Sequence, residues 1–310
     1  MDIGKSASKT CCSRKVHYGA SHEVAVPSVF PMRWGRAINT DMIPSSLAKA
    51  LHRVLHGSSK FELIHTPHDH WPLSQSPSPV SVLDSSFNPP TLAHLALAKS
   101  QPPTTPTLLL LSVRNADKSL KPTDATYFQR IEMMYLLAQD SHPENTAIAI
   151  IDEPTFVGKS TTLLNFFRHS LSVNSNSLAQ TPKPSLTFLV GTDTLTRLFA
   201  PRYYQSEAAM TDLLQNFFSP SSDDSSIICA HRNPTSYASG AEGTPHHAVP
   251  YIQSGKIKLI EIGADEQTFS SSEVRSKRVG DGDGEAKRWK QLVSPRIANY
   301  IEEKGLYLPA

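Results

Sequence analysis

The sequence predicts an α/β protein built on a doubly wound, parallel sheet of about six strands. Three observations carry that expectation. Six short apolar runs, Val80 to Leu83, Thr107 to Val113, Ala147 to Ile151, Leu186 to Val190, Ile227 to Ala230 and Ile257 to Ile262, have the length and aliphatic content of strands buried on both faces. Helical stretches alternate with them, which is the pattern of parallel βαβ units. The first run also leads through a polar turn, Asp84-Ser85-Ser86-Phe87-Asn88, closed by Pro89-Pro90, into helical spacing at Leu92, Leu95 and Ala96 behind Thr91.

Taken in order, residues 1–42 form a basic extension, with Lys5, Lys9, Arg14, Lys15, Arg33 and Arg36 against Asp2 and Glu23. No apolar face accompanies the arginines, so a disordered tail is favoured over a mitochondrial presequence. The folded domain is expected over residues 43–310. Ser45 or Ser46 caps a helix whose Leu47, Ala50, Leu51, Val54 and Leu55 share a face, and Gly57 stops it. Phe61 to His65 is a short apolar run. His65, His68 and His70 suggest metal ligands, but no cysteine or carboxylate set completes a site and prolines flank them, so they read as a solvated loop.

The strand from Thr107 to Val113 opens into Arg114-Asn115-Ala116-Asp117-Lys118, a polar loop at the carboxyl edge where such sheets bind ligands. Thr123 to Gln139 is expected as an amphipathic helix. Val157-Gly158-Lys159-Ser160-Thr161 looks like the end of a P-loop, yet Glu153 holds the position where that motif needs glycine. It reads instead as a helix start capped by Ser160 or Thr161, with Lys159 solvated. Asn174 to Pro184 is a Ser/Asn/Pro-rich insert expected as a surface loop. After the fourth strand, Gly191 allows close backbone approach and Asp193 suits a ribose hydroxyl pair, or caps a helix from Leu195 to Phe199. A helix ends over Leu213 to Phe218, and Ser219 to Ser226 reads as a disordered linker. Arg232 follows the fifth strand, Asn233 to Pro250 reads as a flexible flap, Gly280 to Glu285 breaks the chain, and Pro295 to Lys304 is a terminal helix ended by Gly305.

Composition narrows the function. The 310 residues hold 39% hydrophobic and 19% charged residues with 24 prolines, enough for a full core with long loops. A net charge of +2 without a basic stripe disfavours nucleic acid or an acidic membrane as partner, and no apolar run reaches bilayer length. Cys11, Cys12 and Cys229 form no C-x-x-C pair and leave an odd cysteine, which suits a reducing cytoplasmic or nuclear compartment.

Strand, polar turn and helix N-terminus together make a phosphate site, because unpaired backbone N–H groups and the helix dipole face the anion. His94, one turn into that helix, reaches the same place. Here Ser85-Ser86-Phe87-Asn88-Pro89-Pro90-Thr91-x-x-His94 resembles the G-S-F-N-P-x-T-x-x-H motif of the nicotinamide mononucleotide (NMN) adenylyltransferases. These belong to the nucleotidylyltransferase superfamily, whose general form is (H/T)-x-G-H. Phe269 to Arg275 is similar to the family's I-S-S-T-x-x-R, and Arg130-Ile131-Glu132-Met133 to its R-x-x-M helix.

The resemblance, to a divergent fungal-type branch, implies a Rossmann-like nucleotidylyltransferase fold and transfer of AMP from ATP to NMN, giving NAD+ and pyrophosphate. It implies catalytic roles for His94, Arg275 and Lys118, with Lys121 the alternative to Lys118. Nucleotide contacts would come from Ser85, Ser86, Phe87, Asn88, Thr91, Gly191, Asp193, Arg232, Ser271 and Ser272. Mg²⁺ would arrive on the ATP phosphates and need no protein cage. The expected partners are the small molecules ATP and NMN, and a homo-oligomer is allowed. Two departures stand out: Ser85 replaces the family's glycine, and Ser272-Glu273 replaces T-x. Ordinary helix capping is the competing reading of Ser270 to Ser272. Two alternatives to the whole assignment are an ATP-binding or ATP-hydrolysing homologue with another acceptor, and a weakly catalytic nucleotide-binding partner protein.

Overall fold

The computed structural model describes residues 45–72, 79–114, 122–174, 183–230, 245–279 and 288–308. Seven strands, β1 (Phe61–His65), β2 (Val80–Ser85), β3 (Thr107–Ser112), β4 (Thr146–Ile151), β5 (Leu186–Gly191), β6 (Ser226–Ala230) and β7 (Ile257–Ile260), form one sheet in the order β1-β4-β3-β2-β5-β6-β7. Strands β2 to β7 are mutually parallel. Counted in chain order, those parallel strands run 3-2-1-4-5-6, which is the Rossmann order with its reversal between β2 and β5.

The aliphatic runs alternate between two cores, which is why they show no polar face. Leu109, Leu111, Ile148 and Ile150 point to one side, with α1 (Ser45–Leu55), α2 (Leu92–Lys99), α3 (Tyr127–Asp140) and α9 (Pro295–Glu303) packed there. Leu108, Leu110, Ala147, Ala149 and Ile151 point to the other, where α4 (Phe156–Asn174), α5 (Thr192–Leu198) and α6 (Glu207–Phe218) contribute Leu163, Leu195 and Phe217. Two further helices, α7 (Val249–Gln253) and α8 (Ser271–Val279), lie before and after β7. Among the described residues no helix is long and apolar enough to cross a membrane.

Several expectations need correction. The sheet has one strand more than expected: β1 adds an antiparallel edge against β4, with Phe61 opposite Ile151. Its buried Glu62 is held by Arg53 at 2.7 and 2.8 Å. Helix α3 starts at Tyr127 rather than Thr123, because Thr126 and Gln129 form a capping box in which Gln129 Oε1 accepts from the Thr126 N–H at 2.8 Å. Helix α4 starts at Phe156; Thr155 Oγ1 accepts from Gly158 N–H at 3.1 Å, so Ser160 and Thr161 are interior, not caps. Helix α5 begins at Thr192 behind Gly191 rather than at Leu195. The stretch from Ser219 to Ser226 is a hydrogen-bonded turn: Ser219 O accepts from the N–H groups of Ser222 and Asp224 at 3.0 Å each, and Asp223 accepts from Ser160 Oγ at 2.6 Å. The 1–42 extension, Lys118, Lys121, Arg232, most of the Asn174 to Pro184 insert, most of the Asn233 to Pro250 flap and the Gly280 to Glu285 break lie outside the described residues.

Candidate active site

The site grows from the carboxyl end of β2. The β2–β5 register, Leu83 opposite Leu189, brings Ser85 level with Gly191 at the point where the strand order reverses. Beyond Ser85 the chain turns at Phe87, which adopts a left-handed φ of 44° and buries its ring against His94, with centroids 5.6 Å apart. A bulky residue with positive φ is held there by its surroundings. Thr91 then caps α2, and His94 Nδ1 accepts from the Thr91 N–H at 3.0 Å. A backbone N–H can only donate, so the neutral imidazole carries its proton on Nε2. That nitrogen lies 2.9 Å from Ser85 Oγ. His94 is thus both a capping residue and a donor turned toward the cleft.

The N-terminus of α8 docks on this turn. Ser270 Oγ accepts from the Glu273 N–H at 3.1 Å and caps the helix, as the competing reading held, while Ser271 Oγ donates to Pro89 O at 2.7 Å across 182 residues. Arg275 donates to Asn88 O at 2.5 Å and to Ser272 Oγ at 3.2 Å. Glu273 pairs with Lys277 at 2.6 Å, which offsets the negative charge that the sequence puts near a phosphate site.

Behind the turn sits a polar cage. The Asn88 amide donates to Asp124 at 2.8 Å, and its oxygen accepts from Ala125 N–H at 3.2 Å and Tyr307 Oη at 2.9 Å. Asp124 lies 3.8 Å from Arg130 and 3.7 Å from Arg275. Arg130 donates to Ser86 O at 3.3 Å, and burial lowers its pKa, opposed first by Asp124. Of the expected nucleotide contacts, Phe87, Asn88 and Thr91 are therefore buried supports of the turn rather than cleft-lining groups.

Ser85, Ser86, His94, Gly191, Asp193, Ser271, Ser272 and Arg275 do converge, lining one cleft of about 750 Å³. A Cβ added at Gly191 would meet no atom within 4 Å, so its openness serves the cleft rather than packing. Asp193 stands in the first turn of α5. The opposite wall holds Thr155, Phe156 and Lys159 from the start of α4, with Tyr203 and Tyr204 beyond α5.

Lys159 is the largest departure from expectation. It is not solvated: its side chain is 5% exposed and bonds Asp84, 8% exposed, at 2.5 Å, while Asp84 also accepts from Ser112 at 3.2 Å. A Cβ at its neighbour Gly158 would fall 2.3 Å from the Glu153 carboxyl carbon, so a side chain there would have to push the flexible Glu153 carboxylate aside. The Gly-Lys pair thus has a packing origin, not a P-loop one. Nothing local in the sequence announces the Lys159 partner, which is 75 residues away. Among the described residues no group of three or more His, Cys, Asp or Glu is placed to hold a metal. His65 instead lies in β1, edge-on to Tyr135 at 5.4 Å.

A curated Schizosaccharomyces pombe protein, provisionally named nicotinamide mononucleotide adenylyltransferase, is 34% identical over 238 residues, covering 74% of this chain and 86% of the relative. The chain belongs to the nicotinamide mononucleotide adenylyltransferase family. It is therefore a nucleotidyltransferase by family membership. It also aligns with Plasmodium falciparum nicotinic acid mononucleotide adenylyltransferase complexed with NaAD (17% identity, TM-score 0.46) and with APC (15%, 0.44), over 74% of this chain and 97% of each solved chain. No family model matches the chain.

Proposed function

We propose that this protein transfers AMP from magnesium-bound ATP to the phosphate of NMN, forming NAD+ and releasing pyrophosphate. The observation that carries the reading is the convergence, in one cleft, of the His94 turn with the helix N-terminus bearing Ser271, Ser272 and Arg275. The reaction needs such donors and little else. The NMN phosphate is already anionic at neutral pH, so its oxygen attacks the α-phosphorus without a general base. A bond forms to that oxygen, the bond to the β-phosphate oxygen breaks, and pyrophosphate departs with the electron pair. Catalysis is then positioning and neutralisation of charge at phosphorus.

In this reading His94, whose Nε2–H bonds Ser85 Oγ, and the turn amide at Ser86 lie on the α-phosphate side of the cleft. Ser271, Ser272 and Arg275 hold the leaving pyrophosphate at the positive end of α8. Gly191 lets the nucleotide approach the backbone, and Asp193 accepts from the ribose hydroxyls. Phe156, Tyr203 and Tyr204 offer faces for the pyridine ring. Lys118 or Lys121, with Arg232, would add cations. Mg²⁺ comes with ATP and keeps most of its waters.

NMN as the acceptor is supported by the name of the fission-yeast relative. The test supplies ATP and Mg²⁺ with either NMN or nicotinic acid mononucleotide and identifies products by chromatography. NAD+ with equimolar pyrophosphate, formed faster than the deamido product, is expected. Preference for nicotinic acid mononucleotide would overturn the acceptor. Release of inorganic phosphate with neither dinucleotide would overturn the transfer itself.

A further inference from the structure

Ser85 stands where the resemblance puts glycine, and its side chain is not idle. Its Oγ lies 2.9 Å from His94 Nε2, while the other ring nitrogen is taken by the Thr91 N–H at 3.0 Å. Because the ring proton sits on Nε2, the bond runs from Nε2–H to a lone pair of the Ser85 oxygen. The hydroxyl proton of Ser85 is then left to donate, and Ser85 lines the cleft. A hydroxyl that accepts from an imidazole N–H becomes a stronger donor in turn, since hydrogen bonds in series polarise one another.

We propose that Ser85 is a catalytic residue of this chain, donating its Oγ–H to a non-bridging oxygen of the transferred α-phosphate while His94 orients and polarises it. The inference rests on the adenylyl-transfer reading above. No bond to Ser85 forms or breaks, and the hydroxyl keeps its proton. What changes in the transition state is the charge on the phosphate oxygen, to which the Ser85–His94 pair is matched. Where glycine occupies this position no side chain can do this. The serine therefore replaces a direct imidazole contact with a hydroxyl–imidazole pair acting as one unit.

The experiment measures kcat and KM for dinucleotide synthesis from ATP, Mg²⁺ and NMN in wild type, Ser85→Ala, Ser85→Cys, Ser85→Thr, His94→Ala and the Ser85→Ala/His94→Ala double variant. Cysteine keeps the volume with a weak donor, and threonine keeps the hydroxyl. We expect Ser85→Ala and Ser85→Cys to lose ~10-fold or more in kcat, toward the 10²–10³ typical of one oxyanion donor, with KM for ATP nearly unchanged. Ser85→Thr should keep most of the rate. The double variant should be no slower than His94→Ala, because groups acting as a unit are non-additive. Wild-type kcat in Ser85→Ala and Ser85→Cys, or losses that multiply in the double variant, would overturn the role of Ser85 and leave adenylyl transfer standing. A wild type that makes no dinucleotide overturns both.

Discussion

Lys159→Met cuts the least solvated ion pair at the cleft and leaves the Asp84 carboxylate buried without its cation. The two side chains are 5% and 8% exposed and meet at 2.5 Å, so solvent screening is weak. Removing one partner of such a pair costs about 3–5 kcal/mol, because the remaining charge has lost both water and counter-ion. Ser112 Oγ, at 3.2 Å, still donates to Asp84 and softens the loss, which points to the lower half of that range. With about 2–4 °C per kcal/mol for a domain of 150–250 residues, the melting temperature should fall by roughly 6–16 °C. Urea denaturation followed by circular dichroism checks the value. The Asp84→Leu/Lys159→Met double variant should recover most of the loss, since a buried pair exchanged for apolar residues of similar volume is close to neutral. A single-variant cost under about 1 kcal/mol, the figure for an exposed pair, would refute the reasoning.

Three further outcomes follow from the same geometry. Tyr307→Phe removes one of two donors to the Asn88 oxygen; a loss of about 0.5–1.5 kcal/mol in urea unfolding is expected, and no loss would mean the cage does not rely on the C-terminal segment. Gly191→Ala should leave the melting temperature unchanged, since its Cβ meets no protein atom within 4 Å, yet raise KM for ATP; an unchanged KM would show that nucleotide does not approach this backbone. Burial pushes the Cys229 thiol and the Tyr204 phenol up to about 12, from ordinary values of 9.0 and 10.0. Both stay neutral when folded while the unfolded chain ionises. Their stabilisation is therefore complete below about pH 9 and is lost as pH rises toward 12, by about 1.4 kcal/mol per pH unit per proton. Urea midpoints at about pH 8 and pH 10.5 should show this fall, with Cys229→Ala flattening part of it; parallel slopes for the two proteins would contradict the Cys229 share.

What the sequence disclosed was whatever is local. The β2 run, its polar turn and His94 lie within fifteen residues, Val80 to His94, and chemistry and spacing announced them together. The start of α3 was equally readable, because Thr126-x-x-Gln129 is a capping box, but the helix was expected from Thr123, three residues before that cap. Strand β1 was visible only as the short apolar run Phe61 to His65, because five residues interrupted by a buried glutamate carry too little pattern to be counted as a strand of the sheet. The supports of the site were hidden for a different reason. Lys159 and Asp84 are 75 residues apart, and Tyr307 and Asn88 are 219 apart, so no window of sequence contains both partners. Asn88 shows the cost: a motif position read as a substrate contact is, in the folded chain, a keystone facing inward.

The measurement that bears most directly on the account is the turnover of His94→Ala in NAD+ synthesis, with Arg275→Ala beside it and thermal melts of each as a folding control. Both side chains line the cleft, and the proposed reaction assigns His94, through the Ser85 hydroxyl it bonds, to the α-phosphate and Arg275 to the leaving pyrophosphate. A loss of about 10²–10³ in kcat for His94→Ala, about 2.7–4 kcal/mol of transition-state stabilisation, is predicted in a protein that still melts cooperatively. Folded His94→Ala turning over at the wild-type rate would contradict it.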